Sequence, residues 1–366
     1  MSLHSVIAAQ IASNGPLTVS EYMQLALSHP EYGYYMRKDP LGSSGDFTTA
    51  PEISQIFGEL LGAWTAQQWK HLNQPECALI ELGPGRGTLM SDMLRATRHV
   101  QEFHDAISVH LVETSPAMKQ KQWQALAGKH DALHWHESVD ELPKDKPWLI
   151  VANEFFDALP IRQFLCQNGA WHERAVGSDD NGALTFTSMP LNTDSCDKQL
   201  KEFLGQFEPA SLAAGDIVEY GMAAVDITST IACHLRDVGG VALIVDYGYA
   251  GLGIGDTFQA VRTHRYHPPL RDPGQADLTA HVDFTRLAIT AERCHAVAHG
   301  PVAQGAFLGR LGAIPRAIHL CEQSTPEQQA NVIGSVRRLI DPDQMGELFK
   351  AMAITGGTHP TPEGFR

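Results

Sequence analysis

The segment E-L-G-P-G-R-G-T, from Glu81 to Thr88, constrains the fold more than any other part of the chain. It follows the apolar run C-A-L-I-E-L (77–82), which predicts a buried strand, and it precedes a helix predicted over 88–98. Its glycines let the backbone turn sharply and let a ligand approach without obstruction by side chains. These glycines are Gly83, Gly85 and Gly87. The segment therefore predicts a strand, a turn and a helix arranged around a ligand.

The spacing of these glycines distinguishes between nucleotide ligands. A dinucleotide fingerprint requires G-x-G-x-x-G, and Thr88 occupies the place of its third glycine. A phosphate-binding P-loop ends in G-K-[ST], and no lysine is present here. G-x-G-x-G, with Glu81 two residues before Gly83, fits S-adenosylmethionine better, because the carboxylate can orient the ammonium end of that cofactor. A turn that binds nothing is the alternative.

Strand and helix patterns alternate on both sides of this turn, which predicts an α/β fold with a parallel sheet covered by helices on both faces. The predicted strands of this sheet are 77–82, 107–113, 132–136, 148–154 and 241–248, and the helices between them are 88–98, 115–126 and 223–236. Further predicted elements are a helix from Pro51 to Leu72, strands at 257–262 and 295–299, and C-terminal helices between Pro326 and Phe349.

The patterns divide the chain into four segments. Near Leu159 the alternation gives way to short alternating runs around S-D-D-N-G, which are typical of a β-hairpin. We therefore predict an inserted, β-rich subdomain on the substrate side. The segments are an N-terminal helical lead-in with a lid loop (1–75), the cofactor-binding first half of the core (76–159), the insertion (160–221), and the second half of the core with the C-terminal helices (222–366).

One residue after the second strand and one after the third are candidates to bind the adenosine part of the cofactor. Glu113 ends the second strand, where an open α/β sheet presents side chains to a ligand crevice, and its carboxylate can accept both ribose hydroxyls. A solvated acid at a strand end is the alternative for Glu113. Ser138, after the third strand, is a candidate for the adenine edge.

The segment N-E-F-F-D-A-L-P (153–160) follows the fourth strand and faces the same edge of the sheet. Asn153, Glu154 and Asp157 are candidate catalytic residues, because amide and carboxylate groups can orient an N–H nucleophile and offset the charge of a guanidinium. Phe155, with its neighbour, can wall the site from water. Glu219 is a further candidate carboxylate, and capping of a following helix is the alternative for Asn153 and Asp157.

Two loop segments are unusual enough to suggest contact with the substrate. G-D-F-T-T-A-P-E (45–52) is a candidate lid, with Gly45, Asp46 and Phe47 at its start. D-L-T-A-H-V-D-F (277–284) contains His281, which is either a base or a structural hydrogen-bonding group.

Composition excludes several classes of protein. The net charge of −15, without a cluster of Lys or Arg, argues against nucleic-acid binding, and no apolar stretch reaches the roughly 18 residues of a membrane span. The scattered cysteines predict neither a zinc site nor a disulfide framework. The histidines of 130–136 and 295–299 lie in strand-like alternation and point to different faces, so no metal is expected. The first basic residue is Arg37, and we therefore predict a cytoplasmic location.

Taken together, the motifs resemble those of the MidA-type S-adenosylmethionine-dependent methyltransferases. The resemblance covers about residues 15–355 and is weakest within 177–205. The motifs are E-L-G-P-G-R-G-T, G-D-F-T-T-A-P-E-I-S, N-E-F-F-D-A-L-P, L-I-V-D-Y-G-Y, D-L-T-A-H-V-D-F, Q-G-A-F-L and M-G-E-L-F-K.

This resemblance implies a class I methyltransferase fold with a Rossmann-like sheet. It places S-adenosylmethionine at Gly83, Gly85 and Glu113 and an acceptor pocket around Asn153 and Glu154. Because the family includes a mitochondrial arginine methyltransferase that assists assembly of respiratory complex I, it implies an arginine of a protein as the methyl acceptor. A small-molecule N- or O-methyltransferase and a non-catalytic, cofactor-binding assembly factor are the alternatives.

Overall fold

The structure is a computed structural model, and it describes residues 2–37 and 48–366. The α-helices are α1 (Leu3–Asn14), α2 (Val19–Ser28), α3 (Tyr34–Arg37), α4 (Ala50–Ile53), α5 (Gln55–His71), α6 (Thr88–Thr97), α7 (Gln101–Ala106), α8 (Pro116–Leu126), α9 (Lys198–Leu204), α10 (Met222–Asp237), α11 (Phe284–Arg293), α12 (Gln304–Arg310), α13 (Ala313–Cys321) and α14 (Pro326–Ile340). The strands are β1 (Leu17–Thr18), β2 (Cys77–Leu82), β3 (Ile107–Val112), β4 (Leu133–His136), β5 (Trp148–Asn153), β6 (Arg162–Gln167), β7 (Ala170–Ser178), β8 (Leu184–Pro190), β9 (Ile217–Tyr220), β10 (Gly240–Tyr249), β11 (Gln259–Arg262), β12 (Arg265–His267), β13 (Asp277–Thr279), β14 (Val282–Asp283), β15 (Val297–Ala303) and β16 (Phe349–Thr355).

The chain divides into two compact units. The small unit contains residues 2–37, 158–224 and 251–281, and the large unit contains residues 48–157, 225–250 and 282–366.

The large unit is built on a sheet with the strand order β15-β16-β10-β5-β2-β3-β4. From β10 to β4 all neighbouring strands are parallel, and β14 adds a short parallel pairing with the end of β10. Every residue of β2 and β5 is buried, as expected for strands covered on both faces. The predicted α/β architecture is therefore confirmed.

One edge of this sheet differs from the prediction. We expected parallel strands, but β16 runs antiparallel to both β10 and β15. The helical stretch predicted up to Phe349 is largely present, because a π-helical turn at Pro342–Gly346 follows α14 and β16 begins where that stretch ends. Ala and Met in F-K-A-M-A-I-T favour helix locally. Hydrogen bonding to two neighbouring strands outweighs that preference, because strand formation depends on tertiary context. The sheet is mixed.

The helix predicted from Pro51 to Leu72 is in fact two helices, α4 and α5. Ser54 separates them with an extended backbone (φ −153°, ψ 129°), and its hydroxyl accepts a hydrogen bond from the backbone N–H of Ile56 at 3.3 Å. This is the geometry of a helix N-cap, and a new helix therefore begins at Gln55.

The core of the large unit joins α5 and α6 to the sheet. A Cβ atom on Gly62 of α5 would lie 2.8 Å from the Cα of Met93, so glycine allows the two helices to approach closely. The hydrophobic core of the large unit includes Phe57, Leu61, Trp64, Leu79, Leu89, Met90, Leu149, Leu243 and Ala351.

In the described parts of the chain, no helix is both long and apolar enough to cross a membrane.

The small unit packs helices against antiparallel strands. Its main sheet has the order β1-β7-β6-β9, with β8 paired to β7, and a second sheet has the order β12-β11-β13. The predicted β-hairpin pattern is thus present as β6, β7 and β8. A capping box between Thr18 and Glu21 starts α2, and the buried hydroxyl of Tyr22 donates to the Pro269 carbonyl at 2.7 Å.

Candidate active site

The turn after β2 requires glycine for its backbone conformation and for its packing. Its glycines have positive φ angles of +64°, +52° and +81° at Gly83, Gly85 and Gly87. A Cβ atom on Gly83 would lie 2.9 Å from Phe155 Cδ2, and one on Gly87 would lie 3.3 Å from the Cα of Gln122. The predicted strand–turn–helix arrangement is confirmed, and the turn leads directly into α6.

Glu81 lies inside the sheet just before this turn and is only 3% exposed. The backbone N–H of Met90 donates to its carboxyl group, but among the described residues no donor reaches Oε2. Burial raises the pKa of Glu81 to about 8, against a partial offset from the Met90 hydrogen bond. A cation beside Oε2 would supply the missing partner and favour the ionised carboxylate.

Glu113 directly follows β3 and is held by two hydrogen bonds. Its Oε1 accepts from the Ser115 backbone N–H at 2.7 Å, and its Oε2 accepts from Gln122 Nε2 at 3.1 Å. Burial raises the pKa of Glu113, and these hydrogen bonds oppose the shift. Glu113 is therefore not a freely solvated acid at a strand end. Ser138, after β4, precedes a short helical turn, and its hydroxyl accepts no capping hydrogen bond from that turn.

Gln122 of α8 was not selected by sequence analysis, yet it connects three parts of the candidate site. Besides its bond to Glu113, its Nε2 donates to the carbonyl oxygen of Gly85 at 2.8 Å, and its Oε1 accepts from Trp135 Nε1 at 2.8 Å. The side chain is fully buried. No local pattern marks this glutamine, since its partners lie on separate segments of the chain.

Asn153, the last residue of β5, is 8% exposed, and Glu154 follows it with a positive φ of +50°. Glu154 Oε1 accepts from the Ala50 backbone N–H at 3.0 Å and from Asn153 Nδ2 at 3.1 Å. Burial raises the pKa of Glu154 to about 7. Among the described residues, no donor lies within hydrogen-bond distance of Asn153 Oδ1. A buried amide oxygen and a carboxylate thus lie side by side at the end of β5.

Two further acidic groups lie close to this pair, Asp157 on the same segment and Asp246 on β10. Asp157 Oδ2 accepts from the Tyr247 hydroxyl at 2.5 Å. Asp246, which is fully buried, accepts from the backbone N–H groups of Phe156 and Asp157 at 3.0 and 3.2 Å. Both Asp246 and Tyr247 belong to the motif L-I-V-D-Y-G-Y, but no local pattern assigned a role to either residue.

The alternative role of Asn153 and Asp157 as helix caps is wrong. Described residues 154–161 contain no helix, and the strand β6 begins at Arg162. Within this segment the rings of Phe155 and Phe156 meet edge to face, 5.4 Å apart. Because Phe155 also packs on the site of Gly83, the segment after β5 and the turn after β2 are in direct contact.

Other predicted residues lie elsewhere in the chain. Gly45, Asp46 and Phe47 lie outside the described residues. His281 and Glu219 belong to the small unit, where the His281 backbone N–H donates to the Thr257 hydroxyl at 2.9 Å. Glu219 accepts from Gln163 Nε2 at 2.6 Å. In the described ranges 2–37 and 48–366, no group of three or more His, Cys, Asp or Glu side chains could hold a metal ion.

Comparison with known proteins agrees with this geometry. A family model described as "Putative S-adenosyl-L-methionine-dependent methyltransferase" matches residues 60–302, a range that contains the glycine turn, Glu113 and the segment after β5. The resemblance inferred from the motifs is confirmed.

Similar proteins in animals carry a more specific name. "Protein arginine methyltransferase NDUFAF7, mitochondrial" of Xenopus laevis is 39% identical, covering 94% of this chain and 82% of the relative. The Drosophila melanogaster homolog is 35% identical, covering 97% and 85%. Because these relatives are named as mitochondrial, our prediction of a cytoplasmic location is wrong. It depended on the absence of basic residues before Arg37, and the composition of one short segment does not determine a compartment.

Two solved structures show the same fold, and one of them is in complex with the demethylated cofactor. A Burkholderia thailandensis protein in complex with S-adenosyl-homocysteine superposes with a TM-score of 0.84 at 26% identity, covering 99% of this chain and 93% of that one. A second structure from Burkholderia thailandensis gives a TM-score of 0.80 at 28% identity, with coverage of 99% and 94%. The chain therefore belongs to the S-adenosyl-L-methionine-dependent methyltransferase family whose model spans residues 60–302.

Proposed function

We propose that this enzyme methylates a guanidinium nitrogen of an arginine in a protein substrate. The observation that carries the proposal is the pair formed by the buried Asn153 Oδ1, to which no donor is directed from the described residues, and the neighbouring carboxylate of Glu154. A guanidinium presents several N–H donors and a positive charge in one plane. An amide acceptor beside a carboxylate matches both properties.

On the cofactor side, we assign roles by the chemistry of each group. Gly83, Gly85 and Gly87 leave room for the cofactor at the turn after β2, and Glu81 Oε2 meets its ammonium group. Glu113 takes the ribose hydroxyls, and Ser138 takes the adenine edge. The bound cofactor supplies an electrophilic methyl group carried on a sulfonium. Gln122 supports this side by holding the carbonyl of Gly85 and the carboxylate of Glu113 in place.

On the acceptor side, the residues orient the guanidinium and hold a proton. Asn153 Oδ1 accepts an N–H of the acceptor, while Glu154 and Asp157 offset its positive charge. Methylation of a guanidinium nitrogen releases one proton. Glu154 is suited to receive it, because burial raises its pKa to about 7 and a carboxyl group with that pKa exchanges protons readily near neutral pH.

The remaining predicted roles complete the proposal. Phe155 shields the reacting groups from water. Gly45, Asp46 and Phe47, which lie outside the described residues, and His281 remain candidate substrate contacts. The inserted segment 160–221, which separates 76–159 from 222–366 along the chain, serves substrate recognition.

The names of the animal relatives support a protein arginine as the acceptor. The resemblance of the motifs to the MidA-type family further suggests a respiratory complex I subunit as the substrate, and we propose it as the first candidate. The described residues contain no membrane-spanning helix, and the net charge of −15 suits a cationic acceptor.

The test is transfer of tritiated methyl groups from S-adenosylmethionine to protein in a cell lysate by the purified chain. We expect label in the protein fraction, and methylarginine after acid hydrolysis. Asn153→Ala should abolish most of the incorporation while S-adenosyl-homocysteine still binds. Label confined to small molecules would favour a small-molecule methyltransferase. Tight cofactor binding without any transfer would favour a non-catalytic assembly factor, and either result would refute the proposal.

A further inference from the structure

The side chain of Asp246, in β10, is hydrogen-bonded to the backbone of the segment that follows β5. In the parallel pairing of the two strands, Val245 lies opposite Asn153, so Asp246 follows directly at the point where β5 ends. Its Oδ2 accepts two backbone N–H groups from the segment, those of Phe156 and Asp157, and its Oδ1 accepts the N–H of Tyr247 at 2.9 Å. One fully buried carboxyl group thus satisfies three backbone donors.

The same strand fixes the segment at a second point. The backbone N–H of Glu154 donates to the carbonyl oxygen of Val245 at 2.9 Å. Glu154 has a φ of +50°, a conformation that costs a non-glycine residue about 1 kcal/mol or more and persists only when its surroundings hold it. The hydrogen bonds from β10 therefore impose the turn that directs Asn153 and Glu154.

Tyr247 acts on a side chain rather than on the backbone. Its ring lies edge to face against Phe349 of β16, with centroids 5.4 Å apart, and the two residues are paired in register. This packing directs the hydroxyl to Asp157 Oδ2 at 2.5 Å. A hydrogen bond of that length restrains the orientation of the Asp157 carboxylate.

We propose that Asp246 and Tyr247 are positioning residues of the methyl-acceptor site: Asp246 sets the turn from Glu154 to Asp157, and Tyr247 orients the Asp157 carboxylate toward a cationic acceptor. This inference rests on the proposed function, because it concerns the same acceptor site. Neither residue needs to contact the substrate.

The charges in this cluster agree with a cationic acceptor. Burial, followed by the nearby carboxylates of Asp157 and Glu154, raises the pKa of Asp246 well above its usual value, and the backbone N–H donors oppose the shift. Three acidic groups therefore lie close enough to repel one another. A guanidinium placed beside Glu154 and Asp157 offsets that repulsion, which a neutral acceptor would not do.

The decisive test is a double-mutant cycle between Tyr247→Phe and Asp157→Asn, measured as the initial rate of tritiated methyl transfer to lysate protein at saturating S-adenosylmethionine. Tyr247→Phe keeps the ring and its contact with Phe349 but removes the hydroxyl. We expect a rate loss of roughly tenfold, since a hydrogen bond to a charged group is lost. The double variant should be no more than about twofold slower than Asp157→Asn alone, because Tyr247 acts through Asp157.

Control measurements separate positioning from folding. Tyr22→Phe removes another buried tyrosine hydroxyl, which donates to Pro269 in the small unit, and it should leave the rate unchanged. Tyr247→Phe should bind S-adenosyl-homocysteine as the wild type does. Asp246→Asn, which replaces an acceptor oxygen with a donor, should lower both the rate and the melting temperature, and a full rate with this variant would refute the role of Asp246.

Two results would overturn the inference for Tyr247: a wild-type rate for Tyr247→Phe, or rate losses that multiply in the double variant. Failure of the proposed function looks different. In that case the wild type itself produces no methylarginine, whereas failure of this inference leaves wild-type methylarginine formation intact.

Discussion

Gln122 Nε2 lies 2.8 Å from the carbonyl oxygen of Gly85 and 3.1 Å from Glu113 Oε2, so one buried amide joins the glycine turn after β2 to the acid after β3. A turn made largely of glycine has few side-chain contacts of its own to hold it. This amide provides such a contact from outside the turn. The geometry of the cofactor site therefore depends on a residue of α8 as well as on the glycines.

Replacing Gln122 with alanine should weaken cofactor binding and lower stability. The change leaves the half-buried Gly85 carbonyl, Glu113 Oε2 and Trp135 Nε1 without this partner, and it should cost about 1–3 kcal/mol in the free energy of unfolding. Affinity for S-adenosyl-homocysteine should fall roughly tenfold, which calorimetry would measure. Gln101→Ala, which removes an exposed hydrogen bond to Asp105, is the control and should change neither quantity.

Replacing Gly83 with alanine should damage the site more than the same change at Gly128. Both residues have positive φ angles, +64° and +75°, so alanine is strained at both. Only at Gly83 would the added Cβ collide, 2.9 Å from Phe155, whereas at Gly128 it meets nothing within 4 Å. Gly128→Ala should cost about 1 kcal/mol of stability without loss of cofactor affinity. Equal affinities in the two variants would show that the packing of Phe155 on this turn is unimportant.

Binding of S-adenosylmethionine near pH 7 should release a proton from Glu81. Burial places the pKa of Glu81 at about 8, above the ordinary value of 4.5, so ionisation destabilises the fold as the pH rises from about 4.5 to 8. The cofactor's ammonium group favours the ionised form, and binding therefore lowers the pKa and releases the proton.

Calorimetric titration in buffers with different ionisation enthalpies measures this release. Glu81→Gln should lose the proton release, bind the cofactor more weakly, and be more stable than the wild type above pH 8. Identical proton release by the variant and the wild type would assign the titration to another group.

Local chemistry made part of the site predictable. The turn at Gly83, Gly85 and Gly87 follows from residue type and spacing, because glycine adopts its positive φ angles without strain. The positions of Glu113 and Asn153 follow from the ends of apolar runs. These features need no knowledge of distant segments.

Features that depend on tertiary contacts were not predictable. Asp246 lies about 90 residues from the N–H groups that it accepts, and Gln122 lies 37 residues from Gly85, so no local pattern links them. In the same way, β16 is a strand only because β10 and β15 flank a segment with helical preference. The break at Ser54 was missed because the apolar face continues through it.

The most direct test of the central claim, that the end of β5 selects a guanidinium, uses lysate protein whose arginines have been converted to citrulline by a deiminase. Citrulline keeps the shape of arginine but lacks its charge. We expect incorporation of tritiated methyl groups by the purified enzyme to fall to background, while acetylation of the lysines in a parallel sample leaves incorporation unchanged. Persistent labelling of the citrulline-containing protein, or loss of labelling after lysine acetylation, would show that the end of β5 does not select a guanidinium.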